Sequence, residues 1–166
     1  MVSNIPYNLS SKVIYWLGER GIPALICIQK EFAEHMLASP GTRDYSKLSV
    51  ISSLLFRVHR IKDVPAANFY PKPRVDSCII YLAPRSRAID VHLISTISLI
   101  MNHKKKRLGN AVVDSASMLG MDKRAAREIS LKLQYRDSRP LHMEPEKILE
   151  TAIELDALVA KLRKSK

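Results

Sequence analysis

The chain has 166 residues, 46% hydrophobic and 26% charged, with a net charge of +11. This composition excludes a wholly disordered chain, and the length allows one domain or one and a half with a real core. The charge points to a polyanionic partner, most simply nucleic acid, with an anionic membrane surface second.

No apolar run reaches spanning length and no signal-peptide pattern opens the chain, which predicts an intracellular, cytoplasmic protein without a membrane segment. Cys27 and Cys78 lie in apolar, strand-like runs and read as small buried hydrophobes rather than a disulfide. The five histidines show no ligand spacing with either cysteine, so no metal site is expected.

In chain order, Asn4-Ile5-Pro6-Tyr7 comes first. Pro6 fixes its own φ and biases Ile5 toward an extended conformation. An Asn oxygen and the Ile5 carbonyl suit the exocyclic amine of a planar heterocycle, and Tyr7 supplies a stacking face. The same four residues also read as a plain turn. Ser10 or Ser11 is the expected N-cap of a helix carrying Val13, Ile14 and Leu17, closed by Gly18 and Gly21. Ala24 to Ile28 is a short continuous apolar run, the pattern of a strand buried on both faces. Helices are expected over 31–38, with Phe32, Ala33 and Met36 inward, and over 45–55, with Leu48, Ile51 and Leu55 inward. Phe56, Val58 and Ile61 alternate with basic residues as in a strand near a sheet edge, ended by Pro65.

Phe69-Tyr70-Pro71-Lys72-Pro73-Arg74 places two aromatics and two cations in a proline-stiffened loop, and a strand follows over 75–82. Phe69 reads either as a core plug or as a second ring facing Tyr7 across an unstacked base. From Arg85 onward the apolar stripes are helical. The first runs through Leu93, Ile94, Ile97, Ile100 and Met101, and the second through Leu108, Ala111, Val112 and Ser115. Asp122 is the expected cap of a helix bearing Ala125, Ala126, Ile129 and Leu133. Pro145 opens a last helix with Ile148, Leu149, Ala152, Leu155, Val159 and Leu162 inward, ending in a basic tail over 161–166. His103-Lys104-Lys105-Lys106-Arg107 is the densest charge cluster, either a phosphate-contacting segment or a solvated helix end. Asp44, Asp63 and Asp76 are not paired at a catalytic spacing, and no Gly-rich phosphate loop occurs.

Four ordered segments carry a resemblance: Asn4 to Tyr7, Gln29-Lys30-Glu31, Pro40 to Val50, and Phe69 to Ser77. In order and spacing they resemble the ribosomal RNA adenine N6,N6-dimethyltransferases of the KsgA type, and the segment Lys105 to Ala111 is similar to that family's basic segment. The resemblance implies an α/β fold, the C-terminal half of a Rossmann-like class I methyltransferase sheet followed by a small all-α domain. Boundaries are expected at 1–84 and 85–166, the second part facing RNA. It implies methyl transfer from S-adenosylmethionine to N6 of two adjacent adenosines of small-subunit rRNA, within the pre-ribosomal small subunit.

On that resemblance Asn4 and the Ile5 carbonyl hold the adenine amine, with Asn4 also beside the cofactor. Pro6 sets the turn, and Tyr7 and Phe69 stack on the base. Lys72, Arg74, Lys104, Lys105, Lys106 and Arg107 contact RNA. Ile5 stands where Leu is common, Lys12 where Pro often follows the serines, and Ser46 where Gly is usual. The family's Gly-rich cofactor half is expected before Asn4 and is not in this sequence, so the chain by itself is expected to bind S-adenosylmethionine poorly. The alternatives are a non-catalytic RNA-binding assembly module on the same scaffold and, third, an enzyme of large-subunit rRNA.

Overall fold

In a computed structural model, the described residues are 1–86 and 89–164. They divide into two compact units, one of the described residues within 1–39 and 48–89, the other of those within 40–47 and 90–164. Relative to the expected boundary near residue 84, segment 40–47 joins the helical unit.

The first unit holds β1 (Val2–Asn4), α1 (Ser10–Glu19), β2 (Ala24–Gln29), α2 (Lys30–Leu37), most of α3 (Lys47–Leu55), β3 (Phe56–Val64) and β4 (Ser77–Pro84). The sheet order is β1-β2-β4-β3. β1 runs parallel to β2, with Asn4 opposite Cys27, while β4 is antiparallel to both β2 and β3. The run Ala24–Ile28 differs from its expectation. Ala24, Ile26 and Ile28 are buried, whereas Leu25 is exposed and Cys27 half-buried. Successive strand side chains point to opposite faces, and this unit covers only one face of β2. β3 is an edge strand with a register shift between Arg60 and Lys62. Bulges and charged side chains are common ways of blunting such an edge.

Two sequence expectations are corrected at helix starts. Neither Ser10 nor Ser11 caps α1. A 3₁₀ turn over Tyr7–Leu9 runs straight into the helix, so the Leu9 N–H already donates to the Pro6 carbonyl at 2.9 Å. The Ser10 hydroxyl instead donates back to the Tyr7 carbonyl at 3.0 Å. Helix α3 begins at Lys47 rather than Tyr45. Tyr45 is 1% exposed, and its hydroxyl donates to the Met143 carbonyl at 2.8 Å. A side chain committed that way does not extend a helical stripe. Gly18 marks a close approach: a Cβ there would lie 2.5 Å from Leu55 Cδ1 and 3.2 Å from Leu55 Cβ.

The second unit contains α4 (Val91–Asn102), α5 (Leu108–Asp114), α6 (Lys123–Lys132) and α7 (Pro145–Lys164). Its core uses the expected stripes: Ile97, Ile100, Leu108, Ala111, Val112, Ala126, Ile129, Ile148, Ala152 and Leu155 are buried, as helical periodicity requires. Asp122 accepts from the Ala125 N–H at 2.8 Å, the expected cap. Asp90 caps α4 through the His92 N–H at 2.9 Å, which the sequence reading did not single out. Of the basic tail, Lys161 to Lys164 form the last turn of α7, where cations complement the helix dipole. Residues 165 and 166 lie outside the described residues.

Candidate functional site

The corner where β1 ends is built from local rules. Asn4 is the last residue of β1, and the Ile5 N–H extends the pairing by donating to the Cys27 carbonyl at 3.2 Å. Ile5 is 3% exposed, anchoring the backbone, while Asn4 lies at the surface. Pro6 then turns the chain into the 3₁₀ turn. Among the described residues the Asn4 amide has no hydrogen-bond partner, and no backbone donor reaches the Ile5 carbonyl. The Tyr7 hydroxyl and Ser77 Oγ are 2.8 Å apart, which ties the Tyr7 ring to the start of β4.

A second segment closes on this corner. Residues Ala66–Asn68 form a short 3₁₀ turn after Pro65, and the Phe69 N–H donates back to Ala66 at 3.2 Å. Asp76 Oδ1 accepts from the Ala66 N–H at 2.9 Å, and the Asp76 carbonyl accepts from the Lys30 N–H at 3.0 Å. The carboxylate thus ties the two ends of the 66–76 loop together. The Tyr70–Pro71 bond is cis. The result is a cavity of about 320 Å³ lined by Asn4, Ile5, Pro6, Tyr7, Phe69, Tyr70, Pro71 and Pro73. All five residues expected around a target base line this one cavity. Free acceptors with an aromatic wall fit a flat ring carrying an amine.

The three aspartates without a catalytic partner include two with structural work. Asp76 holds the loop. Asp63 accepts from Arg60 and faces Lys30 Nζ at 3.3 Å, and the Arg60 hydrogen bonds, more than Lys30, hold its carboxyl below the usual carboxylate range. Burial pushes both cysteine thiols up. Asp76 and Ser77 were missed as site-forming residues. The available signal was their place directly after the aromatic loop, where a loop needs a tie.

The expected RNA-facing cations separate into different situations. Lys72 and Arg74 are exposed on the aromatic loop. In the helical unit Lys105 is exposed, whereas Lys104 turns inward. Its ammonium donates to the Arg43 carbonyl at 3.0 Å and to the Tyr45 carbonyl, a structural tie to segment 40–47. Lys106 pairs with Asp114, and Arg107 with Asp137 at 3.4 Å.

Among the described residues no group of three metal-ligating side chains converges, and no helix is long and apolar enough to cross a membrane.

The mixed sheet with its C-terminal helices is a methyltransferase-type α/β fold. It matches a crystal structure of a dimethyladenosine transferase from Plasmodium falciparum with a TM-score of 0.77 and 24% identity, over 95% of this chain and 66% of that one. The model of the family described as ribosomal RNA adenine dimethylase matches residues 1–143, and the chain belongs to that family. A probable ribosomal RNA small subunit methyltransferase A of Methanopyrus kandleri is 36% identical over 165 residues, 95% of this chain and 59% of the relative. The similarly named protein of Thermococcus gammatolerans is 32% identical, over 93% of this chain and 56% of its own length. The chain therefore spans somewhat over half the length of these relatives.

Proposed function

We propose that the chain supplies the target-base half of an S-adenosylmethionine-dependent enzyme that dimethylates N6 of adjacent adenosines in small-subunit rRNA. What carries the reading is the shared cavity of Asn4, Ile5, Tyr7 and Phe69, with two free acceptors beside aromatic walls. Asn4 Oδ1 and the Ile5 carbonyl take the two N6 hydrogens of the unmethylated adenosine, and one of them takes the single hydrogen left before the second transfer. Those bonds draw the nitrogen toward a pyramidal shape and localise a lone pair otherwise spread into the ring. Tyr7, held by Ser77, and Phe69, held through the Asp76 loop, bracket the base and replace the stacking it loses on leaving the helix.

The cofactor, when bound, supplies an electrophilic methyl on a sulfonium sulfur. Of this chain's residues only Asn4 is assigned to it, and an unpartnered amide at the carboxyl end of a parallel strand fits that place. No residue of the cavity is needed as a nucleophile, because the amine itself attacks and releases its proton afterwards. Lys72, Arg74, Lys105, Lys106 and Arg107 give the salt-dependent part of RNA binding, while Lys104 ties segment 40–47 to the basic segment. The partner that fits this charge is the rRNA of a small subunit under assembly.

The test is a chromosomal Asn4→Ala substitution with mass spectrometry of small-subunit rRNA nucleosides. Loss of N6,N6-dimethyladenosine with RNA binding intact is the expected result. Unchanged dimethyladenosine in that strain sinks the proposal.

A further inference from the structure

A cleft of about 930 Å³ in the helical unit lies on α5, α6 and the turn after α6. Four cations line it: Lys106, Arg107, Arg127 and Arg136. Two carboxylates, Asp114 and Asp137, are also there. Lys106 is matched by Asp114, whose carboxyl is held low chiefly by the hydrogen bond from that lysine. Asp137 is shared, 3.4 Å from Arg107 and 3.3 Å from Arg136. Arg127 has no carboxylate partner among the described residues. The cleft therefore carries an excess of two positive charges on three guanidinium groups, each with more N–H donors than its present partners use. Gly109 lines it without a side chain, so the wall stays open.

We infer that this cleft is a phosphodiester-binding site for the RNA backbone, with Arg127 and Arg136 as its phosphate ligands and Asp137 as an internal competitor for the same guanidinium groups. Guanidinium forks match phosphate oxygens in pairs, whereas an ammonium acts as a point charge. Lys106 and Arg107 thereby belong to a walled site two arginines deeper than the basic segment they sit in. The inference rests on the RNA-directed reading above but concerns a different set of residues from the base cavity.

The probe is a short single-stranded RNA of mixed sequence, titrated against the 166-residue chain over a range of salt. Each phosphate neutralised on a single strand contributes about −0.7 to the slope of log K against log salt. Arg127→Gln with Arg136→Gln is expected to flatten the slope by about 1.4, and Arg124→Gln with Lys161→Gln, the same charge change outside the cleft, by much less. Asp137→Asn is expected to tighten binding several-fold, a gain that misfolding does not produce. Equal flattening by the two double variants, or no gain from Asp137→Asn, overturns the cleft and leaves the base cavity standing. Failure of the unsubstituted chain to bind RNA overturns both readings.

Discussion

Phe69 and Asp76 show how a single side chain acquires its place from another. The ring of Phe69 lines the cavity because Asp76 ties the Ala66 N–H to the foot of β4. Phe69→Ala is expected to weaken uptake of an unstacked base by roughly 1 to 3 kcal/mol, a drop of about one to two orders of magnitude. The measurement is the fluorescence of 2-aminopurine placed at the target adenosine, which brightens when the base leaves the stack. Equal brightening with wild type and variant would place the ring outside base binding. At this scale the sequence showed which residues meet, since Asn4, Tyr7 and Phe69 all face one cavity. It did not show what Lys104 does. Four successive cations look alike in a string, and only the fold decides that one of them turns toward the Arg43 and Tyr45 carbonyls.

Among the elements, helix periodicity was legible nearly throughout the second unit, because each helix buries one stripe against its neighbours. The misreadings cluster at starts. The sequence places the α1 cap on a serine because the preceding 3₁₀ turn leaves no mark in composition, and Tyr45 fits a helical pattern because its hydroxyl partner lies 98 residues away. The continuous apolar run of β2 reads as doubly buried because periodicity carries no information about which face is covered. Gly18 carries the clearest element-level prediction. A methyl there would press on Leu55, so Gly18→Ala is expected to destabilise the first unit by about 1 to 3 kcal/mol despite alanine's better helix propensity. Urea unfolding measures it, and a stabilised variant would show that α1 and α3 part freely.

For the molecule as a whole, two outcomes follow from chemistry already described. Burial, then the nearby charges of Glu144 and Glu146, push the Tyr45 hydroxyl well above the ordinary tyrosine range. A raised value means its contribution is complete below about pH 10 and is lost as pH climbs toward the folded-state value, at up to about 1.4 kcal/mol per pH unit. Tyr45→Phe is therefore expected to lower stability by about 1 kcal/mol at neutral pH, through the unpaired Met143 carbonyl, and to flatten the alkaline decline. Urea midpoints across that pH range decide it, with identical slopes as the contrary result. The second outcome concerns the cofactor. With no Gly-rich phosphate loop in the sequence and Asn4 as its one assigned contact, the chain by itself is expected to bind S-adenosylmethionine more weakly than micromolar, as calorimetry would read. Micromolar affinity would mean that residues outside the proposed set hold it.

The inward turn of Lys104 also sets a chemical asymmetry between neighbours. Reagents or enzymes that acylate amines would find Lys105 open to solvent and Lys104 occupied. An acyl group forced onto Lys104 would strip the cation from two carbonyls and loosen segment 40–47 from the helices that hold it, so a mark meant for the surface would act as a break in the framework.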